Sequence, residues 1–503
     1  MLKNNLPHRF IFSLMKLIFE TFMILLIVVL LTKYVPYFSV AIIISEFIVV
    51  AIIISSDQNP EFKIPWLLLV ILVPISGMMI YFIFGKRKLS KKYTKRMDEA
   101  NEQLLQHTEG KTLRQPTEFK VQSLVKLIEK TSGNQVYQNT KLTYFPLGEK
   151  MWAQLLIDLE TAEKFIFVNY FIIETGQFWD SILDILTKKA AEGIEVRVMY
   201  DDIGSFKTLP SDFKTLMDQR GIEITPFARF TGDANSDVNN RSHRKMLIID
   251  GQISYTGGIN IADEYVNLID RFGHWKDTAI RLDGSATNEL TKMFFVDWYT
   301  NNMSSTLNIE QYLLAKPVES EGFVLPFGDG PSPIYNYRVS KLALIQLLST
   351  SRRRVLITSP YLIIDDELAN AFQSAALRGV DVNIITPGIP DKKIIYAMTR
   401  ANYNRLMSSG IKIYEYTPGF IHSKYYISDD NVAIIGTVNL DYRSLVHHFE
   451  NGVVLTDKST LNDMIADFKQ TCSVSSLVTQ DKLKQSIAHR LVNLTLRAFS
   501  PLL

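Results

Sequence analysis

The sequence predicts an α/β protein made of two tandem copies of one unit. The copies face each other about a pseudo-two-fold axis, behind apolar N-terminal helices. Three observations predict it. The pattern H-x-K-x-x-x-x-D occurs at His243, Lys245 and Asp250, and again at His422, Lys424 and Asp429. Each copy has the same sequel, Gly257-Gly258 and Asn260 in the first and Gly436-Thr437 and Asn439 in the second, every repeated position being offset by 179 residues. A strand, a helix and a second strand precede each copy. One such motif could be accidental, but two in register followed by the same Gly and Asn are a duplicated unit.

Three apolar stretches open the chain. Leu17 to Thr32 carries Glu20, Val35 to Ser55 carries Glu46, and Ile64 to Gly85 is uncharged but contains Pro74 and Gly77. A bilayer-spanning helix needs about 20 apolar residues, so the second and third are long enough and the first is short. Residues 1–85 therefore read as two or three spans of a multi-pass membrane protein. Lys86, Arg87, Lys88, Lys91, Lys92, Lys95 and Arg96 follow as a block of basic residues without an acid among them. Such a block suits an anionic membrane surface and places the catalytic part on the cytoplasmic side. With three spans this sets the N-terminus outside, against the pull of Lys3 and Arg9.

Residues 86–130 read as a basic juxtamembrane linker, a connecting helix with loops. Residues 131–305 then form the first unit. Within it Lys164–Ile173 is a buried-type strand, Phe178–Glu192 has helical spacing and Gly193–Tyr200 is the next strand, an order that demands a right-handed parallel crossover. Residues 306–330, with their prolines and glycines, read as a link. Residues 331–503 repeat the pattern with Arg354–Ile364, a helix from Glu367 to Arg378 and Gly379–Ile385. The stretch from Asp481 to Leu503 mixes basic and apolar residues and is expected to be a packed C-terminal helix.

In each motif a strand follows the His-x-Lys (Lys245–Ile249 in the first), then a turn and a second strand (Ile253–Thr256). At the two-residue period of a strand His243 and Lys245 share a face, so a nucleophile and a cation stand side by side. Isolated histidines are ordinarily packed or solvated, and that is the reading for His8, His107, His274, His447, His448 and His489. Tyr200-Asp201-Asp202 resembles a metal site in miniature, but a strand end with helix-capping acids explains it.

Composition narrows the field. Hydrophobic residues make up 47% of 503, enough for a membrane part beside a globular one, and the net charge is only +2, which argues against a nucleic-acid partner. Cys472 is the single cysteine, so neither an internal disulfide nor a cysteine metal site can form. No phosphate-binding Gly-rich loop of the nucleotide-binding types occurs. Neither cofactor nor metal is expected.

The paired motifs resemble the phospholipase D superfamily. The segments Tyr200–Gly204, Asn239–Lys245, Gly257–Tyr265, Tyr414–Lys424 and Gly436–Ser444 are similar to bacterial cardiolipin synthases. The resemblance implies two phospholipase D-like units in a bacterial cell membrane and reversible phosphatidyl transfer between two phosphatidylglycerol molecules, giving cardiolipin and glycerol. It further implies that His243 and His422 divide the work of nucleophile and general acid. A phosphohistidine forms on one of them, with His243 taken as the attacker by family analogy. Lys245 and Lys424 supply charge, and Asn260 and Asn439 supply hydrogen bonds, to the phosphoryl oxygens. Asp277 and Glu450 are the candidates for holding the second ring nitrogen of the histidines. Asp250 and Asp429 complete the motifs, with loop fixing as their expected job. A hydrolytic phospholipase D, or a transferase using another head group, is the alternative. A nuclease and a non-catalytic scaffold are disfavoured by the apolar segments and by the completeness of both motifs.

Overall fold

In the computed structural model the described residues are 19, 21–23, 25–31, 33, 36–56, 59–85, 91–106, 115–230, 239–302, 308–483 and 496. They fall into two compact units, one dominated by residues 1–88 and one comprising 89–229 and 237–493. Most of the C-terminal stretch, half of the basic block, and His8, His107 and His489 lie outside the described residues.

In the smaller unit a 20-residue helix, Pro36–Ser55, is apolar on nearly all sides. Val49 and Ile53 pack with Trp66 and Val70 of the next helix, while Ile43, Phe47 and Ile48 stay exposed. Length and composition suit it to crossing a bilayer. The third apolar stretch differs from its expected form. It is not one span-length helix but Pro60–Leu72 and Pro74–Ile80, bent at Val73, followed by a wide turn over Tyr81–Gly85. Pro74 brings no N–H and clashes with the preceding turn, and this breaks the helix. Of the first stretch, 21–23 and 25–31 are helical.

The larger unit holds two mixed sheets. The first contains β1 (Thr140–Phe145), β2 (Phe165–Tyr170), β3 (Glu195–Asp201), β4 (Glu223–Phe227), β5 (Lys245–Ile249), β6 (Ile253–Gly257) and, after the short β7 (His274–Lys276), β8 (Ala279–Gly284), in the order β1-β8-β6-β5-β2-β3-β4. The second contains β9 (Val324–Asp329), β10 (Arg354–Thr358), β11 (Asp381–Pro387) and β12 (Lys412–Tyr416). After the short β13 (Gly419–Ile421) come β14 (Tyr425–Ser428), β15 (Val432–Gly436), β16 (Glu450–Leu455) and β17 (Ser475–Leu477), the order being β17-β12-β11-β10-β14-β15-β16-β9. The expected crossovers are present: β2 pairs parallel with β3 through helix Gln177–Ala191, and β10 with β11 through helix Asp366–Leu377. Each motif strand, β5 or β14, pairs antiparallel with the first strand of its crossover.

Alternation along the strands builds three cores. On β5, Leu247 and Ile249 face helices of the first half, whereas Met246 and Ile248 join a core shared with Tyr425, Ile427, Ala433 and Ile435 of the second. On β14, Tyr426 turns instead to the core of the second half. Period-two side chains thus let each sheet bury one face under its own helices and the other against its counterpart. This fixes the two motif strands relative to each other.

Two expected boundaries move. Residues 119–132 are no linker: helix Phe119–Ser132 buries Val121, Leu124, Val125 and Ile128 in the core of the second half. Their i, i+3, i+4 spacing gives the helix one apolar face, which must be covered. Within the basic block, Arg96 donates to the carbonyls of Tyr299 and Asn302, the second at 3.0 Å, and lies over the Tyr299 ring at 4.2 Å. It closes the C-terminal end of helix Thr287–Asn301 rather than facing lipid. The expected link 306–330 ends in β9, which pairs along the whole of β16, with Asp329 opposite Glu450.

Candidate active site

Two short parallel pairings between the halves make the site. In one, β13 runs beside β7, with Ile421 opposite Lys276, and the next amide, His422 N–H, donates to the Lys276 carbonyl at 2.7 Å. In the other, Ser242 bridges Phe449, and His243 N–H donates to the Phe449 carbonyl at 2.8 Å. The residue after each accepting carbonyl, Asp277 or Glu450, is therefore delivered to the histidine of the opposite half. His422 Nδ1 lies 2.6 Å from Asp277 Oδ2, and His243 Nδ1 lies 3.0 Å from Glu450 Oε2. Each imidazole donates Nδ1–H to a carboxylate, which leaves Nε2 with its lone pair for chemistry.

The two carboxylates are seated differently. Gly258 makes room for Asp277: a Cβ there would lie 2.1 Å from Asp277 Oδ1 and 2.9 Å from the His422 carbonyl oxygen. At the equivalent place in the second half, Thr437 instead donates its hydroxyl to Glu450, and Ser444 adds a second hydroxyl at 2.6 Å. The difference between Gly258 and Thr437 in otherwise matching motifs thus follows from which carboxylate arrives.

Both lysines are buried and donate to main-chain carbonyls of their own motif, Lys245 to His243 at 2.8 Å and Lys424 to His422. Burial first, then Lys424, pushes Lys245 down to about 7, and burial lowers Lys424 to about 8. Burial, then Lys424, lowers His422 to about 4, and burial, then Lys245, holds His243 well below the usual histidine range. Both histidines are neutral at rest, and the excess positive charge of the lysines awaits an anion. Asp277 is held low: burial alone would raise it, but His422, Lys424 and the Thr278 N–H outweigh that. Burial raises Glu450.

The flanking arginines are structural. Arg241 places Nε 3.0 Å from both oxygens of Asp201 and donates to the carbonyls of Ala228 and Phe227. Asp201 also accepts from the Ser242 N–H at 3.0 Å and the Gly204 N–H at 2.8 Å. It therefore does more than cap a turn, because it anchors the loop that carries His243. Arg244 binds Asp297 at 2.8 Å, the Glu450 carbonyl at 3.1 Å and the Tyr335 hydroxyl at 3.0 Å, locking the two halves together behind the histidine.

Two expected members stand elsewhere. Asp250 lies past the far end of β5 from His243, roughly 20 Å away at the rise of a strand. Its carboxylate accepts the N–H groups of Glu163, Lys164 and Phe165, each at 2.8 Å. Asp429 does the same for Arg352, Arg353 and Arg354 and pairs with buried Lys120 at 2.8 Å. Both have left-handed backbones, φ 53° and 52°, in three-residue turns. The spacing that completes the two motifs is the length of the strand, and the structure brings neither aspartate to the histidines. Asn260 reaches the Tyr265 hydroxyl at 2.7 Å and the Ile172 N–H at 3.2 Å. The Asn439 amide bonds the Asp441 carboxylate. Asn260 is engaged through both nitrogen and oxygen, whereas Asn439 Oδ1 has no hydrogen-bond partner among the described residues.

His448 was read as an ordinary packed histidine. Its ring lies 5.5 Å from that of His243, and its Nδ1 is 3.8 Å from Glu450 Oε1. The donor atoms of His243, His448 and Glu450 all lie within 4.8 Å of one another, a group able to hold a metal ion. The available signal was its position two residues before Glu450.

A family model described as cardiolipin synthase, phospholipase D-like domain, matches residues 155–297 and 344–472, one match for each half. The chain belongs to the cardiolipin synthase family of phospholipase D-like proteins. A second model, the phospholipase D-nuclease N-terminal region, matches 47–86. Cardiolipin synthase 2 of Bacillus anthracis is 33% identical over 92% of this chain and 90% of its own length. The cardiolipin synthase of Alkalihalophilus pseudofirmus is 32% identical over 92% and 93%. An uncharacterised protein of Streptococcus mutans is 39% identical over 90% and 98%. Phosphatidylserine synthase of Haemophilus influenzae shares the fold, with a TM-score of 0.57 at 15% identity over 75% of this chain and 97% of that one. Membership of the cardiolipin synthase family makes the protein a phosphatidyltransferase.

Proposed function

We propose that this phosphatidyltransferase joins two phosphatidylglycerol molecules into cardiolipin and releases glycerol. The observation that carries the reading is the reciprocal pair of histidine–carboxylate contacts with a lysine beside each histidine, in a chain of the cardiolipin synthase family.

One histidine, His243 by family analogy, attacks phosphorus through Nε2. A P–N bond forms and the bond from phosphorus to the head-group glycerol oxygen breaks. Binding of the phosphodiester anion lets neutral His422 take up a proton on Nε2, and the leaving glycerol oxygen takes that proton. That histidine then removes the proton from the terminal hydroxyl of a second phosphatidylglycerol, whose oxygen attacks phosphorus as the P–N bond breaks. Asp277 and Glu450 hold the rings and stabilise each imidazolium as it forms. Lys245 and Lys424 offset the charge on the non-bridging oxygens, the part a metal plays elsewhere. One phosphodiester replaces another, so the exchange is close to thermoneutral and needs no nucleotide. The N-terminal part anchors the enzyme as a multi-pass protein, with the catalytic body on the cytoplasmic side.

Reconstitution with phosphatidylglycerol as the only lipid tests this. The expected products are cardiolipin and free glycerol, with added glycerol reversing the reaction. Cardiolipin that appears only with CDP-diacylglycerol, or phosphatidic acid as sole product, overturns it.

A further inference from the structure

The surroundings of His422 differ from those of His243 in one respect that the chemistry does not use. An aromatic wall leads from His422 to the surface. Trp275, Tyr265 and Phe420 stand with ring centroids 5.6, 5.3 and 5.9 Å from the imidazole. Phe272 continues the wall, 6.3 Å from Trp275 and 6.1 Å from Phe420.

At the outer end of that wall two loops come together. One is pinned at its base, where Asn267 accepts from the Trp275 N–H at 2.7 Å and donates to the Trp275 carbonyl at 2.9 Å. The other leaves β11, with Ile389 N–H donating to the Gly419 carbonyl at 3.2 Å. They abut: a Cβ on Gly273 would lie 3.1 Å from Ile389 Cδ1. Their outward residues are apolar where a solvent-facing loop has no use for it. Leu268, Ile269, Ile389 and Ile394 are 42, 53, 39 and 58% exposed. Lys392 and Lys393, both exposed, lie between Ile389 of the second loop and Ile394 in the first turn of the helix Lys393–Met407 that follows it.

We propose that these two loops dip into the head-group region of an anionic phospholipid bilayer and so hold the face of the protein nearest His422 against the lipid. The inference rests on phospholipid being the substrate. Large aliphatic residues flanked by lysines are the chemistry of an interfacial contact, because the apolar tips leave water while the ammonium groups meet lipid phosphates. The aromatic rings between the loops and the imidazole are packed in the core of the first half, so the loop tips and His422 are held in one rigid piece. Lys392, Lys393 and Arg271 outnumber Asp270 among the exposed charges of the two loops and the helix start, and this excess of positive charge favours anionic lipid.

The test uses the full chain in nanodiscs of phosphatidylglycerol, in a Cys472→Ser background. A bimane label is placed by Ile269→Cys, by Ile394→Cys or, as control, by Leu377→Cys on a helix outside the patch. Lipids brominated near the head group should quench the first two labels and spare the third. Unquenched labels at 269 and 394 overturn the proposal, as does quenching that depends on protein density rather than on brominated lipid, which marks a second copy. In parallel, Ile269→Ser/Ile394→Ser should raise the apparent KM for bilayer phosphatidylglycerol by about tenfold or more while leaving turnover of monomeric dihexanoyl-phosphatidylglycerol unchanged. Equal loss on both substrates assigns the loops to the catalytic fold and overturns the docking role. If the wild-type protein transfers nothing from phosphatidylglycerol, the substrate assignment fails, and quenching still reads the bilayer contact independently.

Discussion

Asp277 and His422 are 145 residues apart in sequence and 2.6 Å apart in space. Their partnership depends on the parallel pairing of β7 with β13, which hands a carboxylate from one half to the histidine of the other. The same exchange gives Glu450 to His243. Neither half is a complete catalyst by itself.

His243→Ala and His422→Ala are each expected to abolish transfer, since the covalent route needs both imidazoles. Asp277→Asn should keep the fold and lower kcat by on the order of 10³ to 10⁴, as loss of the orienting carboxylate does in other histidine-based sites. Trapping in alkaline denaturant with phosphorus-labelled lipid identifies the attacker: phosphohistidine should form slowly in His422→Ala and be missing in His243→Ala. Full activity in either alanine variant refutes the two-histidine mechanism.

Activity should fall on the alkaline side as the lysines lose charge. Lys245 at about 7 and Lys424 at about 8 interact, so log kcat/KM should decline with the apparent pKa values of the pair. Lys245→Arg should move that limb upward, because guanidinium stays charged. A pH profile flat to pH 9 in the wild type contradicts this.

Stability should follow the histidines on the acid side. His422 is lowered from 6.5 to about 4, so the unfolded chain binds more protons between those values. Its contribution is fully present above pH 6.5 and is lost as pH falls toward 4, on the order of 3 kcal/mol for the whole step. The pH dependence of Tm between 4 and 6.5 should be shallower in His422→Asn.

EDTA should leave activity intact, because Lys245 and Lys424 already supply the positive charge. Added zinc should inhibit by capturing His243 together with His448 and Glu450, whose donor atoms lie within 4.8 Å. His448→Asn should relieve that inhibition. Activity that EDTA removes and one defined metal restores would show the opposite dependence.

Asp429→Ala should lower Tm more than Asp250→Ala, with kcat in each variant within about tenfold of wild type, since neither touches the histidines. Loss of Asp429 strands the buried charge of Lys120, at a cost of about 3–5 kcal/mol. Asp250 leaves only backbone N–H groups unpaired, at about 1–3 kcal/mol. For the same reason a chain beginning near Leu89 should fold in detergent, whereas one beginning at Gly133, stripped of helix Phe119–Ser132, should melt earlier or aggregate. Thermal melts of the four proteins check both statements.

Local and repeated features were legible in the sequence. The duplication, both crossovers, the motif strands and the His-x-Lys pairs follow from spacing, because a strand alternates its side chains at a fixed period whatever surrounds it. Asp277 and Glu450 could be singled out as acceptors, but not assigned to a histidine. The tertiary structure made that assignment, since it depends on which strand of one half lies beside which of the other. For Asp250 and Asp429 the sequence by itself determined the strand that separates them from the histidines and their place at its turn, while only the fold named the main-chain N–H groups they hold. Arg96 and helix Phe119–Ser132 depart from the linker expected there for one physical reason. What a side chain faces across a packed interface is not encoded in its neighbours along the chain.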